Sequence, residues 1–560
     1  MTQTIACPGP KGNVVLRVES LRFAEIPNQS RLFIQYQNDP LSLRKYYPSS
    51  VQSHTQISDR IPEVLKNHTT DRGSLCDALE EMNQKYGASA RTLENISLLR
   101  EPDSVAVVTG QQAGLFSGPL YTIYKALSAV RAAECLRGRG FKAVPVFWAA
   151  TEDHDFEEVS KAFVIDTAGN LAELTAAADV AYQDLPVGEV KIGASMAAVV
   201  DKLFDSLAPT EFSPGLRGMI ESSWREGEFF GDAFAKLLSK LMGDYGLVIL
   251  CPLDPRLKKL ASPIYETAIK NSGAIVAALR ARSAELVDAG FSAQVLIGED
   301  YFPLFWHDED NRRIALKKTV DGKVRAKDGS REFTLEELAR IAVSEPRRLS
   351  PSVVLRSVVQ DFILPTVWYF GGAAEVSYFA QSEEVYRILE RPTTPILHRQ
   401  SFTFVEPKHA KTLSRFELEV CDLFQPVGKL LPEIVEEHLN SDTAKTFAGV
   451  EEGINTELNR LDQALLGVDK TLAENLARRR RKILYHIAAL RNNFHKVQMQ
   501  KDEVVRRRIE SMFTALVPAR HLQERTLNIS YFLNRYGVGF VDWIYRSIDL
   551  DDKSHRILYI

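Results

Sequence analysis

Two short apolar segments on either side of one helical stretch constrain the fold of this chain most. Residues 105–108 are apolar and largely β-branched and end in Thr109-Gly110, and after a glycine-containing loop apolar residues recur with helical spacing over 121–136. A second apolar run covers residues 143–150. Strands joined through a helix run parallel, because the helix carries the chain back to the edge where the first strand began. The pattern therefore predicts a parallel β–α–β unit.

Three later apolar runs predict further strands of the same sheet. They lie at residues 247–251, 367–370 and 395–398. Residues 61–99 have helical patterning and are expected to wrap this core. Residues 302–324 alternate apolar and polar side chains and contain the turn Asp321-Gly322, which is typical of a β-hairpin inserted into an α/β body. The predicted class is α/β, with a core that is discontinuous in sequence.

A coiled-coil pattern begins near residue 454, where apolar residues follow three-four spacing. They are Leu458, Leu461, Leu465, Val468 and Leu472, and then Ile483, Ile487, Leu490, Phe494 and Val497. One continuous helix from near 450 to near 516 would extend roughly 100 Å at about 1.5 Å per residue, too long for a single compact core to cover. Such a helix needs a partner, which residues 416–438 or a second copy of the chain can supply.

These patterns predict how the chain is organised. We expect a core of residues 1–400, a coiled-coil arm of residues 401–520 and a segment of residues 521–560 that returns to the core. Within the core, residues 1–100 form an N-terminal wrapping segment. About 160–245 and 290–345 are expected to be inserted connecting segments.

Composition excludes several classes of protein. The chain has 560 residues, which predicts roughly two to four units, and 45% of them are hydrophobic, as in ordinary globular proteins. Lys and Arg total 69 against 73 for Asp and Glu, so the net charge of −4 provides no positive field for nucleic acid. We therefore expect no nucleic-acid partner.

The cysteines and the apolar segments indicate a compartment. Five scattered cysteines without a CxxC pair are typical of reduced cytosolic thiols. Pro8 and Gly9 lie where a signal peptide would need an uninterrupted apolar stretch, and no run of about 18 apolar residues offers a membrane span. We expect a cytoplasmic protein with no membrane partner.

The first candidate site is the loop between the first strand and its helix, because ligands of α/β proteins bind at that edge of the sheet. Its candidate binding residues are Thr109, Gly110, Gln111, Gln112, Gly114, Gly118 and Tyr121. Glycines let the backbone approach a ligand, and glutamine amides bind hydroxyl, carboxylate or phosphate groups. The loop matches neither Walker A nor GxGxxG. The alternative is a plain turn with its glutamines in solvent.

The second candidate site is the acidic cluster that follows the second strand, with Asp153, His154 and Asp155 as candidate catalytic residues. It faces the same crevice as the first loop. His154 can exchange a proton near neutral pH, and the neighbouring carboxylates are expected to favour its charged form. Two alternatives stay open: a zinc or manganese site, and a helix cap formed by the acids of the cluster.

The third candidate site follows the strand at residues 367–370. Its candidate residues are Arg356, Gly371, Gly372, Glu375 and Tyr378. Arg356 can bind a substrate carboxylate with two hydrogen bonds or form a structural ion pair. A buried strand with a glycine turn explains the apolar residues without a ligand, but leaves Glu375 and Tyr378 unexplained. A separate basic run at 478–482 is interpreted as a solvated helix face, with contact to a nucleotide phosphate or to acidic residues of a partner helix as the alternatives.

Several motifs are specific enough to indicate a family. They are residues 109–116 with 118–122 and Lys125, residues 147–158 including Trp148, Gly371-Gly372 with Glu375 and Tyr378, and residues 522–525 with 534–537. Over nearly the whole chain they resemble the cysteine ligases of bacillithiol biosynthesis, the cysteine-adding enzymes of that low-molecular-weight thiol pathway. Ala373-Ala374 departs from the family pattern, in which proline and glycine are expected.

The resemblance implies a Rossmann-like core related to nucleotidyltransferases, with inserted connecting segments. It also implies a C-terminal coiled coil that forms a homodimer and lies near a bound adenine nucleotide. The implied reaction is attack by the amine of glucosaminyl malate on an activated carboxyl group of cysteine. ATP with magnesium is the expected source of activation, although no HIGH-type or KMSKS-type motif is present.

On this hypothesis the binding residues of the first loop hold substrate hydroxyls or a carboxylate through Gln111, Gln112 and the adjacent backbone. His154, with Asp153 or Asp155, positions and deprotonates the amine. Trp148 joins the substrate-binding set through the resemblance. Two other classes remain as alternatives: a metal-dependent hydrolase that uses the acidic cluster, and a non-enzymatic coiled-coil scaffold.

Overall fold

The computed structural model describes residues 3–9, 12–177, 182, 184–425, 427–501 and 503–560. These residues form two compact units. The first unit consists of Met1–Thr403 and Gln523–Leu558, and the second of Phe404–Leu522 with Tyr559–Ile560. The first unit is therefore closed by a segment that follows the second in sequence.

The strands of the described residues are β1 (Gln3–Gly9), β2 (Gly12–Leu21), β3 (Val105–Gln111), β4 (Ala143–Ala149), β5 (Lys161–Ile165), β6 (Leu171–Thr175), β7 (Val248–Leu250), β8 (Tyr301–His307), β9 (Arg313–Lys318), β10 (Val324–Ala326), β11 (Glu332–Phe333), β12 (Leu349–Pro351), β13 (Thr366–Gly371), β14 (Ile396–His398), β15 (Ser401–Val405) and β16 (His555–Tyr559).

The first unit begins with the helices α1 (Arg31–Asn38), α2 (Ile61–Asn67), α3 (Arg72–Lys85), α4 (Ala90–Leu99), α5 (Tyr121–Gly138), α6 (Phe156–Val159), α7 (Met196–Ser206), α8 (Ser213–Glu221), α9 (Phe230–Met242), α10 (Pro255–Lys270), α11 (Ser272–Asp288), α12 (Leu335–Ser344), α13 (Val353–Ile363) and α14 (Ala373–Ile388). The helices of the second unit are α15 (Pro407–Arg415), α16 (Val427–Ile434), α17 (Ser441–Leu466), α18 (Lys470–Lys501) and α19 (Glu503–Leu516). The first unit resumes with α20 (Gln523–Thr526), α21 (Ser530–Tyr536) and α22 (Phe540–Arg546).

A parallel five-stranded sheet forms the centre of the first unit, in the order β14-β13-β3-β4-β7. All five apolar runs that predict strands lie in this sheet, which confirms the predicted α/β class and the parallel β–α–β unit. Strands β3, β4 and β13 are buried almost from end to end. That burial explains why their sequences are continuous apolar runs rather than alternating ones.

Helices pack against this sheet. Small residues of α5, among them Ala129 and Ala133, share a core cluster with Val105 and Val107 of β3 and with Trp368 of β13. Helices of residues 61–99 lie against the same sheet: α2 contacts β3 and β13, α3 contacts β7, and α4 contacts β4 and β7. The small side chains of α5 allow this helix to lie close to the strands.

An antiparallel sheet is inserted between α11 and α13, in the order β11-β10-β9-β8-β12. The predicted hairpin is present as β8 and β9, but Asp321-Gly322 connects β9 to β10 rather than the two strands of that hairpin. Gly322 has φ +83°, a left-handed conformation that glycine adopts without strain. Further sheets are β1-β2-β16-β15 and the hairpin β5-β6.

The second unit corrects the predicted continuous helix. Helix α17 ends at Leu466 and α18 begins at Lys470, so the coiled-coil pattern folds back into a pair of helices. Gly467 follows the first helix, and an Asp469 carboxylate oxygen accepts the backbone N–H of Thr471 at 2.6 Å, which starts the second. The partner of the coiled coil is therefore at least partly within the chain.

Side-chain contacts hold the two helices together. Arg480 donates to Asn455 at 2.6 Å and to Asn459 at 2.7 Å, and the rings of Phe447 and Phe494 lie 5.6 Å apart. Arg491 also bonds Glu436 at 2.6 Å, so the stretch 416–438 contributes to the packing as well. The other members of the basic run at 478–482 are exposed, in agreement with a solvated face.

In the part of the chain that the structure describes, every helix is too short or too polar to cross a membrane.

Candidate functional site

A cavity of about 540 Å³ in the first unit lies where the parallel strands end, and we call it the main cavity because most of the predicted site residues line it. It is lined by residues that follow β3, β4, β13 and β14, which is the edge where α/β proteins bind ligands. The inserted antiparallel sheet adds Phe305 and Arg313. The predicted residues that line this cavity are Gly110, Gln111, Gln112, Tyr121, Trp148, Asp153, His154, Arg356, Gly372, Glu375 and Tyr378. All three candidate sites thus meet in one place.

A second cavity of about 500 Å³ adjoins the first. The two cavities share Gln111, Gln112, Tyr121 and Arg525. The predicted residues Gly114, Gly118 and Asp155 line the second cavity and not the first.

Two predicted binding residues line neither cavity. The buried Thr109 hydroxyl donates to the backbone oxygen of Phe370 at 2.8 Å, which ties β3 to β13. A Cβ atom on Gly371 would lie 2.9 Å from side-chain atoms of both Glu375 and Ile396. In this geometry, Thr109 and Gly371 contribute to the packing of the strands rather than to the lining of a cavity.

The loop after β3 has an unusual backbone. Phe116, Ser117 and Gly118 have φ values of 51°, 75° and 71°, so two of the three are non-glycine residues in the left-handed region. Asn528 stabilises this turn by donating to the backbone oxygens of Phe116 and Gly118, each at 2.8 Å. A Cβ atom on Gly114 would lie 2.7 Å from the Gly118 Cα, so the loop closes through glycine contacts.

A buried ion pair joins the first loop to the third candidate site. Lys125 on α5 is 3% exposed and contacts the Glu375 carboxylate, while also donating to Gly110 O at 2.7 Å and Gln111 Oε1 at 2.8 Å. Burial lowers the pKa of Lys125, and Glu375 opposes this shift. Glu375 also accepts the Tyr369 hydroxyl and the Gly372 N–H, each at 2.7 Å. The network fixes the ends of β3 and β13 relative to each other.

Arg356 presents a cation without a carboxylate partner. Its guanidinium donates to the hydroxyls of Tyr369 and Tyr378, both at 3.2 Å, and to Gln360 Oε1 at 3.1 Å. Among the described residues, no Asp or Glu oxygen forms an ion pair with it within 4.0 Å. A half-buried guanidinium that faces a cavity in this way is suited to bind an anionic ligand.

His154 is engaged by Arg313 of β9. The guanidinium donates to His154 Nδ1 at 3.1 Å, to Ser350 Oγ at 3.0 Å and to Pro351 O at 3.0 Å, and it lies 3.7 Å from the Phe305 ring centroid. Because a guanidinium only donates, Nδ1 is the acceptor and the neutral ring carries its proton on Nε2.

The expected charged form of His154 is not the one that its surroundings favour. Burial and then the positive charge of Arg313 lower the pKa of His154 below its usual value of 6.5, and they outweigh Asp153, Asp184 and Asp155, which raise it. The imidazole is therefore neutral at pH 7. The predicted influence of the carboxylates is real, but burial and Arg313 exceed it.

The two aspartates of the acidic cluster have different surroundings. Asp153 accepts the His154 N–H at 2.8 Å through Oδ1 and the Gln112 amide at 2.7 Å through Oδ2. Asp155 caps α6 by accepting the Glu158 N–H at 3.1 Å. For this residue the structure agrees with the helix cap that was the alternative to a catalytic role. Asp153 is the aspartate that reaches the main cavity.

Glu152 lines the main cavity and belongs to a buried ion pair. It contacts Lys258, which is 2% exposed and also donates to the backbone oxygen of Leu349 at 2.6 Å. Throughout the described residues, no group of three or more His, Cys, Asp and Glu side chains is arranged to hold a metal ion. The acids of the cluster are engaged by Lys258, Gln112 and backbone N–H groups.

The lining of the main cavity carries excess positive charge, although the whole chain is slightly acidic. Five cationic side chains line it against three carboxylates. The cations are Lys125, Arg313, Arg356, Arg399 and Arg525, and the carboxylates are Glu152, Asp153 and Glu375. With His154 neutral, the site favours a ligand with net negative charge.

Several lining residues are absent from the sequence-based candidates. Arg313 comes from the inserted sheet, Arg399 follows β14 and pairs with buried Glu524 at 2.7 Å, and Arg525 lies on the returning helix α20. Lys125 and Arg525 appear only within the family motifs. An arginine beside a predicted strand end is the one signal that could have identified Arg399.

Comparisons with known proteins agree with this architecture. The family model described as the N-terminal Rossmann-like domain of bacillithiol biosynthesis BshC matches residues 16–400. The model of the C-terminal coiled-coil domain of the same family matches residues 402–560. The core is therefore Rossmann-like, with a coiled coil at its C-terminal side.

Curated relatives match over nearly their full length, and each of the following is named "Putative cysteine ligase BshC". The protein of Salinibacter ruber is 33% identical, covering 98% of this chain and 100% of the relative. That of Solibacter usitatus is 35% identical over 96% and 99%, and that of Koribacter versatilis 33% over 94% and 96%. With two family models spanning most of its length and relatives above 30% identity, the chain belongs to the BshC family of bacillithiol biosynthesis.

Proposed function

We propose that this chain is a ligase that joins the carboxyl group of L-cysteine to the amine of glucosaminyl malate, forming bacillithiol in the last step of its biosynthesis. The observation that carries the proposal is Arg356, a cation that faces the main cavity, donates hydrogen bonds to hydroxyl and amide groups and, among the described residues, forms no ion pair with a carboxylate. The malyl group of the acceptor has two carboxylates, and a carboxylate can accept two hydrogen bonds from one guanidinium.

The remaining polar groups of the cavity suit the rest of the acceptor. Gln111 and Gln112 present amides to sugar hydroxyls, and Trp148 and Tyr378 supply flat apolar surface. The excess of positive charge favours an acceptor with two carboxylates over a neutral sugar. These features support an anionic amino sugar as the ligand of the main cavity.

In the proposed reaction, the amine nitrogen forms a bond to the acyl carbon of an activated cysteine. The activating group leaves with the electron pair of its bond to that carbon. The nitrogen enters as an ammonium ion and loses two protons, one before it attacks, which frees its lone pair, and one as the amide forms. We assign the first proton to Asp153, because its carboxylate is already placed against an N–H donor, and the second to the leaving group. His154 has a positioning role, since its Nδ1 is occupied by Arg313.

The activating group is proposed to come from ATP with magnesium, through adenylation or phosphorylation of the cysteine carboxyl group. Amide formation from a free carboxylate is uphill in water, so some activated acyl group is required. In the adjoining cavity, the cations Arg525 and Lys161 suit a phosphate-bearing leaving group, and the carboxylates of Asp155, Glu157 and Glu158 line the same cavity. Because the cavities share Arg525, the acyl group and the amine can meet between them.

The proposed assembly is a cytoplasmic homodimer formed through the coiled coil. Exposed apolar side chains on α17 and α18 support it, among them Leu461, Leu472 and Leu490. A second copy of the chain would cover such residues.

Replacing Arg356 with glutamine tests the acceptor assignment. We expect the Kd for glucosaminyl malate to rise about 10- to 100-fold, because a hydrogen bond to a charged group contributes about 1.5–3 kcal/mol. The affinity for cysteine should change far less. Calorimetric titration of the purified chain with each compound measures both values.

Arg347→Gln provides the matched control, because it removes the same charge from an exposed position outside the cavity. It should bind glucosaminyl malate as the unchanged chain does. Equal affinities for the Arg356→Gln and Arg347→Gln variants would show that Arg356 does not bind the acceptor.

A further inference from the structure

Gln112 is one of the four residues that line both cavities, and its side chain lies where the two cavities meet. It lines both cavities, whereas Asp153 lines only the main one and Glu158 only the adjoining one. The Gln112 amide nitrogen lies 2.7 Å from Asp153 Oδ2 and 2.9 Å from Glu158 Oε2. One nitrogen atom is thus held by two carboxylates at the point where the cavities meet.

This contact fixes which end of the Gln112 side chain faces the acids. An ionised carboxylate only accepts hydrogen bonds, so the atom between Asp153 and Glu158 is the NH₂ group. Its two N–H bonds are both used. The distances fall in the range found when an ammonium group donates to carboxylates.

The two carboxylates are incompletely neutralised by this arrangement. The Gln112 amide carries no net charge. Arg313 lies 3.7 Å from the other oxygen of Asp153, and none of the ion pairs among the described residues includes Glu158. A cation in place of the amide nitrogen would add attraction to both acids that a neutral amide cannot provide.

From this geometry we propose that Asp153 and Glu158 form a cradle for the ammonium group of the acceptor, in the position that the Gln112 amide nitrogen occupies. The inference rests on the proposed function, and it adds Glu158 as a specificity-determining residue. When the acceptor enters, the Gln112 amide turns away and becomes free to bind a sugar hydroxyl. The amine then lies at the junction, between the acceptor cavity and the cavity proposed for the acyl donor.

A simpler role for Glu158 is to complement the first turn of α6. That helix has only four residues, and Asp155 supplies its cap. The simpler role explains an acidic residue at this position but not the contact of its side chain with Gln112. A cradle explains both the pairing with Asp153 and the position at the junction.

The test compares glucosaminyl malate with its N-acetyl derivative, which lacks the ammonium charge but keeps both malyl carboxylates. Calorimetric titration of the full chain should show at least about tenfold tighter binding of the free amine, as expected for charge-assisted hydrogen bonds. In the Glu158→Gln variant this preference should fall below about threefold, with unchanged affinity for the N-acetyl form. The substitution keeps the side-chain shape at an exposed position, so the fold should be retained.

Glu157→Gln is the matched control, because the side chain of this neighbour is 88% exposed and, among the described residues, its ion pair is with Lys161, at 3.6 Å, and not with Gln112. It should keep the full preference for the free amine. A Glu158→Gln variant that also keeps the full preference would overturn the cradle while leaving the acceptor assignment intact. Failure of the unchanged chain to bind either compound would refute the proposed function, and the cradle with it.

Discussion

Replacing Lys125 with alanine is expected to destabilise the first unit by about 3–5 kcal/mol, the usual effect of removing one partner of a buried ion pair. The variant leaves the Glu375 carboxylate, whose side chain is 17% exposed, without its cation. It also removes the donors to Gly110 O and Gln111 Oε1, so the loop after β3 loses its anchor. We therefore expect a loss of activity together with a loss of stability.

Urea unfolding monitored by tryptophan fluorescence measures this effect. All five tryptophans lie in the first unit, so the signal reports on the unit that contains Lys125. The double variant Lys125→Met with Glu375→Gln removes both charges and should recover most of the lost stability. A Lys125→Ala variant that unfolds within about 0.5 kcal/mol of the unchanged chain would contradict a structural role for the pair.

Asp153→Asn is expected to lower kcat for bacillithiol formation by about 10²- to 10⁴-fold, the usual contribution of a group that accepts a proton during reaction. Asparagine has nearly the same shape and can still accept the His154 N–H, so the loop should remain folded. It cannot accept the proton that the attacking nitrogen loses. The rate is measured at saturating acceptor, which separates the chemical step from the weaker binding that the cradle also predicts.

The sequence did not decide whether Asp153 or Asp155 acts with His154. Asp155→Asn is the matched variant that separates the two aspartates. Asparagine caps a helix about as well as aspartate, so this variant should retain kcat within about threefold. The reverse ranking, with Asp155→Asn inactive and Asp153→Asn active, would assign proton transfer to the adjoining cavity instead.

The strands of the central sheet could be predicted because burial on both faces leaves continuous apolar runs, as at 105–108 and 367–370. Site residues directly after such strands could be predicted for the same reason, since parallel strands end at one edge of the sheet. Gln111, Asp153 and Glu375 illustrate this, and the structure brings them to one cavity.

Residues that reach the cavity through tertiary packing could not be predicted in this way. Arg313 lies on an inserted antiparallel strand, and no local periodicity shows how that sheet packs on the core. Arg525 lies in a segment that rejoins the first unit only after the second unit is complete. The sequence shows the surrounding acids but neither the burial of His154 nor the charge of Arg313 beside it, so it predicted a charged imidazole.

The break between α17 and α18 could have been found from the sequence. Gly467 is a signal for the end of a helix, and Asp469, two residues later, is a signal for the start of the next one. The spacing of apolar residues does not reveal such signals. The apolar spacing continues across the turn into the second helix, although several of its residues are exposed on the helical pair, among them Leu461, Leu472 and Leu490. A coiled-coil pattern that is interrupted by a glycine and a capping residue therefore favours a helical hairpin over one continuous helix.

The most direct measurement is mass-spectrometric detection of bacillithiol after the purified chain is mixed with cysteine, glucosaminyl malate, ATP and magnesium. We expect product with the mass of the amide, dependent on ATP and absent when the N-acetyl derivative replaces the free amine. Product without ATP would contradict nucleotide activation and require another acyl donor. Absence of product under conditions in which a relative of this family forms it would contradict the proposed ligase activity itself.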